Sequence, residues 1–254
     1  MLLTLDIGNT TISLGLYQGD QLGPHWRLAT NHEHTTDEYG LTIVGLLDHI
    51  KMTPTDINGI CMASVVPPLT SRLVHACQDY LSLSPLLVSH DVKTGIRNCY
   101  ENPSMVGADR IADAAAVQKL YGGPACIVDF GTATTFNALD GEGTYLGGAI
   151  APGMTIAAEA LVQRTSKLLR VDYELPPSVI GRNPKHAMQS GLIFGYAAML
   201  EGMVRRFREE LGPDTKVIAT GGNVEFIAQA TEIIDIVAPW LTLDGLRIIW
   251  ELNQ

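Results

Sequence analysis

The sequence predicts an α/β protein built as two similar halves, on three observations. One phrase occurs nearly twice. Leu5-Asp6-Ile7-Gly8-Asn9-Thr10-Thr11 near the start is answered by Val128-Asp129-Phe130-Gly131-Thr132-Ala133-Thr134-Thr135 near the middle. An echo half a chain apart means two facing halves rather than a short-period repeat. Each copy also opens the same plan, three strand-like runs and then alternating helices and strands. Finally, 254 residues with 46% hydrophobic content can bury a large core and hold two small domains.

The elements follow in order. Met1 to Ile7 and Thr11 to Tyr17 read as strands joined by the glycine turn. Gly19-Asp20 reads as a hairpin turn leading to a third strand through His25 to Ala29. Thr35-x-x-Glu38 has capping-box form, and Tyr39, Ile43, Leu46, Leu47 and Ile50 then fall on one helical face. A buried strand from Ile57 to Val66 precedes Pro67-Pro68, which opens a helix carrying Leu69, Leu73, Cys77 and Leu81. Pro85 to Ser89 is a short strand, His90 to Val106 a polar loop, and Gly107 to Tyr121 an Ala-rich helix.

The second half starts at Ala125 to Phe130, with strands at Thr134 to Leu139 and Tyr145 to Ile150. Pro152-Gly153 leads a helix to about Arg164, and Thr165 to Asn183 is irregular. A long helix runs from Pro184 or Lys185 to about Leu211, then a strand at Lys216 to Ala219, a Gly221-Gly222-Asn223 turn, and helices at Val224 to Ala230 and Asp244 to Leu252. The expected domains are 1–117 and 118–254.

The two glycine turns have a specific chemistry. Gly8 and Gly131 have no side chain, so backbone N–H groups there can approach an anion closely. Asn9, Thr10, Thr132, Thr134 and Thr135 add short donors. Asp6 and Asp129 cannot bind phosphate directly, because like charges repel; a carboxylate beside such a turn makes sense with a cation between them. One copy reads equally well as a strand-ending turn with local side-chain hydrogen bonds. Two copies in matching context favour a nucleotide-phosphate clamp with a metal ion.

Composition excludes other classes. The net charge is −10 and no basic run exceeds Arg205-Arg206, against a nucleic-acid surface. Cys61, Cys77, Cys99 and Cys126 are widely spaced without a C-x-x-C pair, which reads as reduced thiols in a cytoplasmic protein. Asp6 breaks the apolar start too early for a signal segment, and no run reaches membrane-spanning length, so no membrane partner is expected. His32 and His34 flank Glu33 without a partner cluster, so the seven histidines form no metal set.

Two α/β halves that each open strand–Asp-x-Gly–strand resemble the duplicated ribonuclease-H-like architecture of the actin-like ATPases and sugar kinases. The resemblance implies two ribonuclease-H-like domains with the active site in the cleft between them, and Gly221-Gly222-Asn223 on the adenosine side. The resemblance then narrows. His25-Trp26-Arg27, Asp37-Glu38-Tyr39, Ser64-Val65-Val66-Pro67-Pro68, Tyr100-Glu101-Asn102-Pro103, Gly107-Ala108-Asp109-Arg110, Gly147-Gly148 with Pro152-Gly153, and Ala187-Met188-Gln189-Ser190-Gly191 join the two Asp-x-Gly motifs. In that order, across nearly the whole chain, they are similar to the type III pantothenate kinases of bacterial coenzyme A biosynthesis.

That resemblance implies ATP-dependent phosphorylation of pantothenate to 4′-phosphopantothenate, and it assigns roles. Asp109 is the general base, at a helix start where neighbouring N–H groups and Arg110 favour its ionised form. Tyr100, Gly107, Ala108, Asp109 and Arg110 bind pantothenate, with Tyr100 a wall and Arg110 a hydrogen-bond donor. Asp6, Ile7, Gly8, Asn9, Thr10, Thr11, Ile12 and Ser13 form the ATP–Mg²⁺ turn, and Thr132 contacts ATP. Asp129 holds the family's monovalent cation, K⁺ or NH₄⁺; its residue type alone does not separate K⁺ from Mg²⁺.

One departure stands out. Where many members have Gly-Lys-Asn-Thr, with Thr touching pantothenate, this chain has Gly181-Arg182-Asn183-Pro184, and proline has neither hydroxyl nor N–H. Gly191, Gly195, Ala198 and Gly202 share one face of the following helix. On residues alone this face packs equally well on the chain's own sheet or on another chain. The family resemblance implies a homodimer in which Pro184 reaches the partner's substrate site. Another small-molecule kinase on this fold and a non-catalytic nucleotide-binding regulator remain as alternatives.

Overall fold

The computed structural model describes residues 1–254. The first half forms β1 (Leu2–Ile7), β2 (Thr11–Gln18), β3 (Gln21–Ala29), α1 (Thr36–His49), β4 (Gly59–Ser64), α2 (Pro67–Leu81) and β5 (Leu86–Leu87). Its sheet has the order β3-β2-β1-β4-β5, with β1 antiparallel to β2 and parallel to β4. The capping box of α1 forms as its spacing predicts: the Glu38 N–H donates to Thr35 Oγ1 at 3.3 Å and the Thr35 N–H to Glu38 Oε2 at 2.7 Å. Gly40 lets α1 approach α2, because a β-carbon there would stand inside the Tyr80 ring.

The stretch expected as a loop at 90–106 contains a short strand, β6 (Arg97–Asn98), and a single 3₁₀ turn at Pro103–Met105. After it come α3 (Ala108–Leu120), β7 (Ala125–Phe130), β8 (Ala133–Leu139), β9 (Thr144–Pro152), α4 (Met154–Arg164), α5 (Pro184–Leu211), β10 (Lys216–Thr220), α6 (Val224–Ala228), β11 (Ile236–Val237) and α7 (Leu241–Leu252). The second sheet has the order β11-β10-β7-β8-β9-β6. Without the edge strand β6, that is the first sheet's order repeated, with β7 again antiparallel to its successor and parallel to β10. β6 is found only through its pairing, Arg97 with Thr144 and Asn98 with Tyr145; two polar residues carry no periodicity to read.

The chain groups into two compact units. One comprises Met1–Ile96, Glu101–Lys119 and Leu241–Gln254; the other comprises Arg97–Tyr100 and Leu120–Trp240. A division into 1–117 and 118–254 differs from this grouping at residues 118–119, which stay with the first unit, and at two larger places. Arg97–Tyr100 joins the second sheet by backbone pairing, and α7 returns to the first unit. The reason for the latter is packing: α7 buries Leu241, Leu243, Leu246 and Ile249. Gly59 of β4 also leaves room for its Trp250 ring, and Tyr17 of β2 donates a hydrogen bond to Asp244 at 2.7 Å.

Each unit has its own core. Leu3, Leu5, Ile12 and Leu14 of the first sheet pack with Ile43, Leu47, Leu69 and Leu73 of α1 and α2. Val128, Phe130 and Phe136 pack with Leu192, Leu200 and Val204 of α5 in the second. No helix is long and apolar enough to cross a membrane.

Candidate active site

In the first unit two loops leave the same end of the sheet. β1 and β4 are parallel neighbours, with Ile7 opposite Ser64, so both chains exit at one end. The Val65 N–H donates to the Ile7 carbonyl at 3.1 Å and joins the exits. From β1 comes the Gly8-Asn9-Thr10 turn, closed by the Gly8 N–H on the Thr11 carbonyl at 3.0 Å; Asn9 and Thr10 are exposed. Asp6 is half-buried, the last but one residue of β1, opposite Ser13.

Gly107 stands beside the exit of β4: a β-carbon on it would be 3.3 Å from Val65 Cγ1 and would overlap Asp109 Oδ1. The Asp109 carboxylate therefore lies over the bare glycine, and its Oδ1 also accepts the Arg110 N–H at 2.7 Å. Asp109 and the Gly8 turn are thus supported by adjacent strands of one sheet. The expectation that helix-start N–H groups and Arg110 favour the ionised carboxyl is met in direction: both pull its pKa down. Burial is the larger effect, and it raises the Asp109 pKa above the ordinary aspartate value. A carboxylate held that way is a better proton acceptor than an exposed one.

The second unit holds Tyr100, Asp129, Thr132 and Pro184. Asp129 is walled by glycines. A β-carbon on Gly131 would stand 3.2 Å from Asp129 Oδ2, and one on Gly221, where φ is +97°, would overlap Oδ1 and the Phe130 backbone. Gly153, at the head of α4, lies against the carbonyls of Gly131 and Thr132. Three glycines distant in sequence thus shape the Asp129 turn. Only Gly131 is legible from local sequence, because the others meet it through the β7–β10 pairing and the β9–α4 junction.

Two further features escaped sequence reasoning. Thr135 lies directly opposite Asp129 across the antiparallel β7–β8 pair, which puts both side chains on one face. On that face Tyr145 Oη donates to Asn137 Oδ1 at 3.0 Å, and Asn137 Nδ2 donates to Thr135 Oγ1 at 3.1 Å. Beside this chain the Tyr100 ring stands 6.4 Å from the Tyr145 ring and against Gly147, where φ is +125° and a β-carbon would come within 3.4 Å. The period-two spacing of Thr135 and Asn137 was the available signal.

Pro184 is the first residue of α5, and Asn183 caps that helix by accepting the His186 N–H at 2.8 Å. Pro184 lines an apolar groove of about 720 Å³ with Leu161, Leu168, Asn183, Met188 and Tyr196. Gly191 and Gly195 face outward, with nothing within 4 Å of a β-carbon on either, so this face of α5 does not pack on the chain's own sheet.

These residues fit a nucleoside triphosphate and its cations. The N–H groups of Gly8 and Gly131, expected to meet an anion, are instead closed on the Thr11 and Ala133 carbonyls at 3.0 and 3.1 Å, so phosphate donors come from the residues that follow each glycine; each turn follows a strand that carries one carboxylate. The fold is the duplicated ribonuclease-H-like one of the actin-like ATPases and sugar kinases, two such domains in one chain. Solved structures with this fold include a Baf family protein from Campylobacter jejuni, 19% identical with a TM-score of 0.63 over 99% of this chain and 98% of that one. The inorganic polyphosphate/ATP-glucomannokinase of Arthrobacter is 14% identical with a TM-score of 0.54 over 100% and 99%.

The model of the type III pantothenate kinase family matches residues 2–206. Type III pantothenate kinases of Roseiflexus sp. (strain RS-1) and Roseiflexus castenholzii (strain DSM 13941 / HLO8) are 47% and 48% identical over 254 residues, covering all of both chains in each case. The chain belongs to the type III pantothenate kinase family.

Proposed function

We propose that this protein is a cytoplasmic enzyme that transfers the γ-phosphoryl group of ATP to the primary hydroxyl of pantothenate, giving 4′-phosphopantothenate and ADP in the first step of coenzyme A biosynthesis. The observation that carries this reading is the Asp109 carboxylate, seated over Gly107 at the start of α3 with its pKa raised by burial. As the pantothenate oxygen bonds to the γ-phosphorus, Asp109 takes the hydroxyl proton and the bond to the ADP oxygen breaks. Arg110 and the Tyr100 wall orient the substrate. Catalysis of this kind is mostly positioning and charge stabilisation.

The Gly8–Ser13 turn and Thr132 hold the ATP phosphates. Asp6 would face Mg²⁺ and Asp129 would hold K⁺ or NH₄⁺; when bound, these cations would offset the negative charge of the phosphates. The active species is a homodimer in which the open face of α5 meets a second copy and Pro184 reaches the partner's substrate site. The exposed apolar residues of the segment between α4 and α5, Leu169, Val179 and Ile180, at 77%, 64% and 78% exposure, favour such a covered face.

The test is incubation with ATP, Mg²⁺, K⁺ and pantothenate, with mass-spectrometric detection of 4′-phosphopantothenate. Turnover of other alcohols but not pantothenate would assign another small-molecule kinase. ATP binding without transfer would assign a regulator.

A further inference from the structure

The Gly8–Thr10 turn is held open from behind by one residue outside the motif. A turn that meets phosphate has to direct N–H groups at the anion and turn its carbonyls away, because carbonyl oxygens carry partial negative charge. The Gly8 N–H is closed on the Thr11 carbonyl, but the Gly8 carbonyl shares its peptide plane with the Asn9 N–H, so fixing that carbonyl fixes where the Asn9 N–H points. Here the Gly8 carbonyl accepts Thr30 Oγ1–H at 2.7 Å, and the Thr10 carbonyl accepts the Thr30 N–H at 2.9 Å. Both carbonyls on either side of Asn9 are thereby tied to a single side chain and its own backbone.

Thr30 is itself fixed. It follows β3 directly, and the next residues are anchored in turn. Tyr39 Oη donates to the Asn31 carbonyl at 2.7 Å, and Arg72 donates to the carbonyls of His32 and His34 at 2.7 and 2.9 Å. The Thr35–Glu38 capping box then ends the segment on α1. The brace therefore runs from helices α1 and α2 to the turn through Thr30.

We propose that Thr30 is a positioning residue for ATP: it holds the Gly8 and Thr10 carbonyls away from the phosphates, so that the turn receives the nucleotide already shaped. This rests on the reading of Gly8–Ser13 as the phosphate turn. Thr30→Val keeps the side-chain shape and the backbone N–H but removes the hydroxyl donor. The expected result is a KM for ATP raised about tenfold, the scale of one lost hydrogen bond, with kcat and the KM for pantothenate within about twofold of native. Thr30→Ser restores the native KM for ATP.

Asn9→Ala separates the two ideas. If it raises the KM for ATP while Thr30→Val does not, the phosphate turn stands and the role of Thr30 is overturned. If neither variant moves the KM for ATP, both fail. A Thr30→Val enzyme that loses thermal stability and both substrate affinities together, without rescue by serine, shows a merely structural residue and overturns the proposal. Should the valine variant not fold, Thr30→Ser and Thr30→Ala are compared by calorimetric binding of a non-hydrolysable ATP analogue to the whole protein. Weaker binding by alanine alone supports the brace, and equal binding overturns it.

Discussion

The carboxylate of Asp109 occupies the space that a β-carbon on Gly107 would fill. The glycine is required there by a close approach, not by its own backbone angle. Gly107→Ala forces the carboxylate to rotate off its seat or pushes Val65 aside. A displaced base costs turnover much more than stability, since proton transfer depends on position. Turnover about a hundredfold lower, with a melting temperature within a few degrees of native, is the expected outcome. Native turnover in this variant would show that the seat has no part in catalysis.

Asp109→Asn keeps the shape and removes the proton acceptor, so turnover falls by about a hundredfold or more while ATP binding changes little. The same substitution carries a stability signature. Burial raises the folded-state pKa of Asp109, so its charge weakens the fold at every pH above that value. The penalty shrinks as pH falls through the folded pKa and is gone below the unfolded value. The asparagine variant is therefore more stable than native at neutral pH, and the two converge in acid. Thermal melts at pH 7 and pH 4 measure this; a native protein that is the more stable at pH 7 contradicts it. The acid limb of kcat/KM likewise lies above the usual aspartate range.

Activity is expected to need K⁺ or NH₄⁺ in addition to Mg²⁺, and Asp129→Ala to remove that dependence with most of the activity. Equal rates in Na⁺-only and K⁺ buffers would end the assignment of Asp129. Gly221→Ala probes the same carboxylate from the end of the neighbouring strand β10. A side chain at φ +97° is strained and overlaps Asp129, so this variant loses both stability and activity.

Light scattering at micromolar concentration should give twice the chain mass. Gly191 and Gly195 are open on this chain, and interior helical glycine costs about 1 kcal/mol against alanine, which an approaching second backbone offsets. Gly195→Leu should weaken the dimer and lower activity with it. A fully active monomer would refute both the interface and the shared site.

Much of this architecture was legible because its signals are local. Strand and helix periods, the Thr35–Glu38 box and the doubled Asp-x-Gly phrase depend on residues within a few positions of one another, and the elements they predict formed with ends shifted by a few residues, as at β3, β4 and α7. The resemblance to the type III family was equally a property of the ordered motifs. What only the tertiary structure decided were relations between distant segments. β6 exists through its pairing with β9, and α7 joins the first sheet because Gly59 admits Trp250. The Asp129 carboxylate also rests on Gly221, whose missing side chain matters only once β10 pairs with β7, and the Asp109 pKa rises because burial outweighs the N–H groups and Arg110 that sequence places beside it. Close approach and desolvation are sums over neighbours in space, and a linear sequence does not specify those neighbours until the chain has folded.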